Sequence, residues 1–156
     1  SIGQGPITTT PLQIAVATAV IANGGKVVRP HLIHDPNHPE HDEPQAILNI
    51  PPAALAAVRQ GMVQVVHASR GTGKEARLAG ITIAGKTGSA EWRKGQPTHA
   101  WFACYAPAEN PQIVCVILVP EGNFGGHTCA PIARRILALY FNLPEEEGLP
   151  EDEALG

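Results

Sequence analysis

A lysine, two hydroxyls and a glycine come together at Lys86, Thr87, Gly88 and Ser89, closing the run GITIAGKTGS that begins at Gly80. Two chemistries fit the letters. The first is the phosphate-cradling loop G-x-x-x-x-G-K-[ST], matched by Gly80, Gly85, Lys86 and Thr87. The second is the K-T-G pattern of serine acyl-transferases, in which the lysine lies on a strand beside a nucleophilic serine. A phosphate loop requires a flexible turn whose N–H groups face the anion and then a helix N-terminus. The intervening residues Ile81, Thr82, Ile83 and Ala84 favour an extended strand instead. Beyond Lys86 come Gly88 and then EWRKGQP from Glu91 to Pro97, with no apolar period to build a helix. The run therefore predicts a strand, and saturable ATP binding would be needed to revive the nucleotide reading.

The elements around this strand alternate between helix and strand. Thr10 to Asn23 (TPLQIAVATAVIAN) opens with an N-capping threonine and a proline at the first helical position, then turns apolar on all sides, which predicts a buried helix. Gly24 and Gly25 stop it, and Lys26 to His31 leave as a short extended piece. His34 to Pro44 (HDPNHPEHDEP) reads as a solvated loop. Pro52 to His67 predicts an amphipathic helix with Leu55, Val58, Met62, Val65 and Val66 on one broad face. A glycine turn, Gly71 to Gly73, leads to the Gly80 strand. Ala100–Tyr105 (AWFACY) and Ile113–Val119 (IVCVILV), joined by APAENPQ, predict a hairpin that completes three antiparallel strands. Pro131 to Phe141 predicts a helix over one sheet face, with Arg134 and Arg135 in solvent. The closing acidic, Pro/Gly-broken segment 143–156 reads as a disordered tail after a unit spanning 1–142.

Composition narrows the function classes. The 156 residues carry a net charge of −3 with only 11 Lys and Arg, so there is no basic footprint for nucleic acid. No apolar run approaches the roughly 20 residues of a membrane span, and no N-terminal signal segment is visible. Aromatics are 4% against 16 Gly and 15 Pro, so the core must be built mainly of Ala, Val, Ile and Leu.

Other polar residues have plainer readings. His31, His34, His38 and His41 with Asp35, Glu40 and Asp42 are metal-ligand types, but their spacing matches no ligand pattern and a polar loop is the simpler reading, so no metal and no cofactor is expected. Cys104 and Cys115 are equidistant from the hairpin centre, a spacing that predicts that they face each other on adjacent strands. Two outcomes are open to them: a disulfide in an oxidising compartment, or buried free thiols, the commoner fate of strand cysteines. Cys129 would remain unpaired. His127 and Thr128 lie in a glycine-rich turn, GNFGGHT, that could border a cleft, with helix capping the favoured role for Thr128. Trp92 and Trp101 flank the loop after the K-T-G strand and read as packing or loop anchors; Glu91, Arg93 and Lys94 read as a solvated face.

Three ordered blocks, GQGPITTTPLQIAVATAVIANGG, RGTGKEARLAGITIAGKTGSAE and WFACYAPAENPQIVCVILVPEG, together resemble the C-terminal half of the transpeptidase domain of class B penicillin-binding proteins, over Gly3 to about Phe141. Gly3, Gln4 and Gly5 favour the cell-elongation type. The resemblance implies the α/β (α+β) fold shared with serine β-lactamases, an antiparallel sheet flanked by helices. It also implies acyl transfer from a D-Ala-D-Ala stem peptide through a serine acyl-enzyme, with β-lactam antibiotics as inhibitors. By motif position, Lys86 would supply positive potential, Thr87 and Ser89 hydroxyls would hold the ligand carboxylate, Gly88 would leave room for the ligand along the strand, and the Ser89 N–H would be half of an oxyanion hole.

The chain departs from that pattern in one respect. Its serines, Ser1, Ser69 and Ser89, are followed three positions on by Gln4, Thr72 and Trp92, and two positions on by Gly3, Gly71 and Glu91, so neither S-x-x-K nor S-x-N is present. Both would lie upstream. The expectation is a piece of an enzyme that is inactive alone and works with the N-terminal part of the same protein, at the periplasmic face of the inner membrane, anchored by a segment outside this chain, and beside other cell-elongation membrane proteins. Two other readings remain. One is a β-lactam sensor or β-lactamase, separated by residues near the missing serine. The other is a non-catalytic interaction fragment docking through the acidic tail and the His34–Pro44 loop.

Overall fold

Thr10 starts the first helix by reciprocal capping. In the computed structural model, which describes residues 8–32, 37, 43–93 and 95–144, the Thr10 hydroxyl accepts from the Gln13 N–H at 3.2 Å and Gln13 Oε1 accepts from the Thr10 N–H at 2.9 Å. Pro11 fills the first position of α1 (Pro11–Asn23), and Gly24 at φ 86° ends it in the left-handed conformation. The expectation of a buried helix needs correction. Only Thr18, Val20 and Ala22 are buried and Leu12 is 59% exposed, because the described chain covers one side of an all-round apolar helix.

The short strand β1 (Lys26–Val27) pairs antiparallel with β2 (Ala46–Ile47). Two residues are too few to show an alternating pattern, and the sequence reading assigns no strand at 46–47. Of the polar loop His34–Pro44, only Asn37, Glu43 and Pro44 are described; the rest of that loop, with most of the metal-ligand types, lies outside the described residues, as does the acidic tail from residue 145.

Helix α2 (Pro52–His67) has the expected bounds, and its inner face keeps Leu55, Met62, Val65 and Val66 of the expected set but not Val58. Met62 and Val66 are buried and Val58 is exposed, its expected place on the inner face taken by Arg59. Arg59 Nε and Nη2 donate to Ile21 O and Ala22 O, both at 2.8 Å. Those carbonyls belong to the last turn of α1, where intrahelical donors run out and a cation is favoured. At the other end of α2, Arg77 repeats the device, donating to Val66 O at 2.8 Å and to His67 O and Ala68 O at 3.0 Å. Between them the chain makes a tight turn at Gly71 and a single 3-10 turn at Lys74–Ala76. A Cβ on Gly71 would stand 2.4 Å from Val65 O, so this close approach requires glycine.

The K-T-G strand begins later than the sequence suggests. Gly80, at φ 81°, makes a bend closed by a Leu78–Ile81 bridge, and the strand β3 runs Ala84–Ala90. It pairs antiparallel with β4 (His99–Ala106), which pairs antiparallel with β5 (Ile113–Val119), giving the order β3-β4-β5. Cys104 stands opposite Cys115 in register, and both thiols are free. Alternation along β4 sends Ala100, Phe102, Cys104 and Ala106 into one core with Val66, Ile83, Ala133 and Leu137, and Tyr105 into another with Ala22, Met62 and Ala84.

After β5 a turn enters the four-residue α3 (Gly125–Thr128) and then α4 (Ala130–Phe141), whose Ala130, Ala133, Leu137 and Ala138 are buried on the sheet. Thr128 caps no helix: its hydroxyl donates to Gly122 O at 2.6 Å and fastens the turn to its own start. Arg135 is exposed as expected, whereas Arg134, next to the buried Ala133 on α4, is half-buried with its Nε enclosed. Leu143 packs against this core and its N–H donates to Ala138 O at 2.9 Å. The architecture is a mixed α/β one, an antiparallel sheet with helices against it.

Candidate functional site

The two ends of β3 differ in cover. Ile83, Ala84 and Gly85 are buried against α2, while exposure begins at Lys86 and continues through Ser89. A Cβ on Gly85 would fall 2.6 Å from the Phe102 ring, so the strand enters the site on a glycine because a core aromatic occupies the space. The register places Lys86 opposite Ala103, Thr87 opposite Phe102, Gly88 opposite Trp101 and Ser89 opposite Ala100. With a side-chain period of two, Thr87 and Ser89 share one sheet face and Lys86 takes the other.

Thr87, Gly88 and Ser89 line a groove of about 460 Å³ whose remaining walls are Thr72, Phe124, Gly125, Gly126 and His127. The Thr72 and Thr87 hydroxyl oxygens are 2.7 Å apart and hydrogen-bonded, so two hydroxyls from segments 15 residues apart meet at one wall. Lys86 is not among the lining residues; its ammonium donates to Thr87 O. The second wall comes very close to the first. A Cβ on Gly125 would be 2.0 Å from Trp101 O and 2.8 Å from Gly88 O, and one on Gly126 would be 2.1 Å from Thr72 O. Glycines here let the turn lie directly on the backbones of three segments. His127 Nδ1 is hydrogen-bonded to Glu75 Oε1, joining this turn to the 3-10 turn.

The sequence points to Thr87, Gly88 and Ser89, and to the GNFGGHT turn as a cleft border; the structure brings these together. Thr72, Glu75 and Phe124 are not singled out by the sequence reading. For Thr72 a signal exists: a threonine flanked by Gly71 and Gly73 is held on a tight turn and aimed by it. Neither tryptophan lines the groove. Trp92 stacks on His99 at 5.6 Å and donates from Nε1 to Pro97 O at 3.2 Å, anchoring its loop, and Trp101 is half-buried in β4. Glu91 and Arg93 are exposed, and Lys94 lies outside the described residues.

The thiols are placed away from the groove's lining. The Cys104 thiol is pushed well up, first by donating a hydrogen bond to the Cys115 sulfur and then by burial, and Cys115, the acceptor, is lowered by the same bond. Burial also raises Cys129. Among the described residues, no three ligating side chains converge on a metal position. A pair of hydroxyls on an exposed half-strand, with a cation on the strand's other face, suits the recognition of an extended ligand bearing a carboxylate.

Comparison with known proteins agrees with this arrangement. The family described as the penicillin binding protein transpeptidase domain matches residues 1–138. The chain is 37% identical to the peptidoglycan D,D-transpeptidase MrdA of Haemophilus influenzae, over 94% of this chain and 26% of that protein. It superposes on the crystal structure of Pseudomonas aeruginosa PBP2 in complex with WCK 5153 with a TM-score of 0.77 and 35% identity, covering 98% of this chain and 34% of that one. It also superposes on penicillin-binding protein A of Mycobacterium tuberculosis, as its imipenem acyl-enzyme complex, with a TM-score of 0.70 and 29% identity, covering 90% and 32%. The chain thus spans about a quarter to a third of the length of these relatives. With the family matched over nearly the whole described chain and the K-T-G strand lining a groove, this chain belongs to the penicillin-binding protein transpeptidase domain family.

Proposed function

We propose that this chain supplies the carboxylate-binding wall of a peptidoglycan D,D-transpeptidase of the cell-elongation type, with residues 1–142 as its share of that domain and the nucleophilic serine in the N-terminal part of the same protein. The observation that carries this reading is the meeting of the Thr72 and Thr87 hydroxyls beside Gly88 and Ser89 on the exposed half of β3. In the reaction, a serine attacks the carbonyl of the penultimate D-Ala, the terminal D-Ala leaves, and the acyl group passes to an amine of a neighbouring strand. The stem peptide adds along β3, with Gly88 giving it room. Hydroxyls of Thr87 and Ser89 hold its terminal carboxylate, Lys86 contributes positive potential from the strand's other face, and the Ser89 N–H donates to the developing oxyanion.

β-Lactams enter the same groove because they present a carboxylate beside a reactive carbonyl. In support, the Mycobacterium tuberculosis relative forms an acyl-enzyme with imipenem. A complex of PBP2 with MreC from Helicobacter pylori supports an elongation partner of that kind for the whole protein. Among the described residues no helix is long and apolar enough to cross a membrane. The reading puts the protein on the extracytoplasmic face, anchored by a segment outside this chain, and makes the chain alone inactive.

The test is acylation by a fluorescent penicillin in the protein that joins this chain to its serine-bearing portion. Thr87→Val removes a hydrogen bond to a charged group, worth about 1.5–3 kcal/mol, so the acylation rate should fall about 10- to 100-fold with the fold retained. An unchanged rate would refute the assignment of Thr87.

A further inference from the structure

We propose that Glu75 sets a negative charge at the rim of the groove and that His127 masks it, so that the pair governs how readily the groove admits an anionic ligand. The inference rests on the carboxylate-binding reading above and concerns residues that reading leaves without a role.

Three observations carry it. His127 lines the groove together with Thr72, Thr87, Gly88 and Ser89, and its ring is hydrogen-bonded through Nδ1 to Glu75 Oε1. Glu75 is therefore one side chain removed from the groove's lining, of which His127 is part. An ionised carboxylate only accepts hydrogen bonds, so Nδ1 carries the proton and Nε2 remains as the ring's second polar atom. Gly126, pressed against Thr72 O, fixes the backbone immediately before His127, and Thr72 is three residues before Glu75. Both partners are thus tied to the wall they act on.

The electrostatics are of surface strength. The side chains are 79% and 41% exposed, so the effect is a tuning of affinity rather than an on-off switch. Without the imidazole, the Glu75 carboxylate loses this hydrogen-bond donor and its charge acts undamped on an incoming carboxylate; without Glu75, nothing needs masking. The two removals therefore act in opposite directions. A role for the pair limited to bracing the two turns would make both removals harmful.

The experiment is a double-mutant cycle in the protein that carries both this chain and its serine-bearing portion, reading the second-order rate of acylation by a fluorescent penicillin. His127→Ala is expected to slow acylation roughly three- to tenfold at low salt. Glu75→Gln should be at least as fast as wild type, and the double variant should return to within about twofold of wild type. Repeating the His127→Ala measurement at ~20 mM and ~500 mM salt should shrink its deficit, since exposed charges are screened beyond about 8 Å near physiological salt and over shorter distances above it. His127→Gln, which can still donate to Glu75, should lie between wild type and His127→Ala. An unchanged rate in His127→Ala, or a double variant as slow as His127→Ala, would overturn the proposal. A wild-type protein that takes no label at all would overturn the carboxylate-groove reading and this inference with it, so the two failures are distinct.

Discussion

Gly125 sets how closely the second wall of the groove approaches the first. A methyl group there would stand 2.0 Å from Trp101 O and 2.8 Å from Gly88 O, and both carbonyls belong to paired strands that cannot withdraw without opening the ladder. Gly125→Ala should destabilise by about 1–3 kcal/mol or more by overpacking, read as a lower midpoint in urea, and should slow acylation by displacing the wall. Gly61 supplies the contrast. It lies inside α2, exposed, with nothing within 4 Å of where its Cβ would be, so Gly61→Ala should stabilise by roughly 0.5–1 kcal/mol. Equal effects from the two substitutions would show that helix propensity and space do not control these sites. At this scale the sequence speaks clearly only where the signal is local. Lys86, Thr87, Gly88 and Ser89 announce themselves by contiguity, whereas the Thr72–Thr87 hydroxyl pair and the Glu75–His127 pair join residues 15 and 52 positions apart and depend on the fold to meet.

The C-terminal end of α2 is the element that aims β3. Arg77 closes its last carbonyls, and His67 Nε2 accepts from the Ile83 N–H at 3.1 Å, one residue before the strand begins. An accepting nitrogen must be unprotonated, and partial burial first, then the Arg77 guanidinium, lowers the proton affinity of this imidazole. Between that lowered value and the ordinary imidazole value of about 6.5, the unfolded chain binds more protons than the folded one. Stability therefore rises with pH through this window: the contribution is fully present above about pH 6.5 and is lost progressively as pH falls below it. His67→Gln should flatten the slope of unfolding free energy against pH in that range; a slope identical to wild type would sever the link. Helix α1, helix α2 and the β4–β5 hairpin are legible because a capping threonine, an apolar period and a proline-rich turn are each written within a few residues. Arg59 on the inner face of α2 is not, because it answers to the open carbonyls of α1, 37 and 38 positions away, and the late start of β3 is not, because the β-branched run hides the bend that Gly80 makes at φ 81°.

Across the whole molecule, apolar side chains collect on faces the described residues leave open. Leu12, Leu48 and Val58 are exposed around α1 and α2, and Ile132, Ile136, Leu139 and Tyr140 follow one another along α4 at helical spacing. The chain spans about a quarter to a third of the length of its relatives. On the proposed reading the rest of the transpeptidase domain covers these faces and brings the serine to the groove. The absence of S-x-x-K and S-x-N, read from three serines alone, and the K-T-G wall in the structure then describe one divided site. Peptide mapping by mass spectrometry after fluorescent penicillin treatment tests this most directly, on the chain alone and on the longer protein. The account predicts an adduct in the longer protein on a peptide outside residues 1–156 and none on the isolated chain. A covalent adduct on Ser89, or on any other residue of this chain, would contradict it.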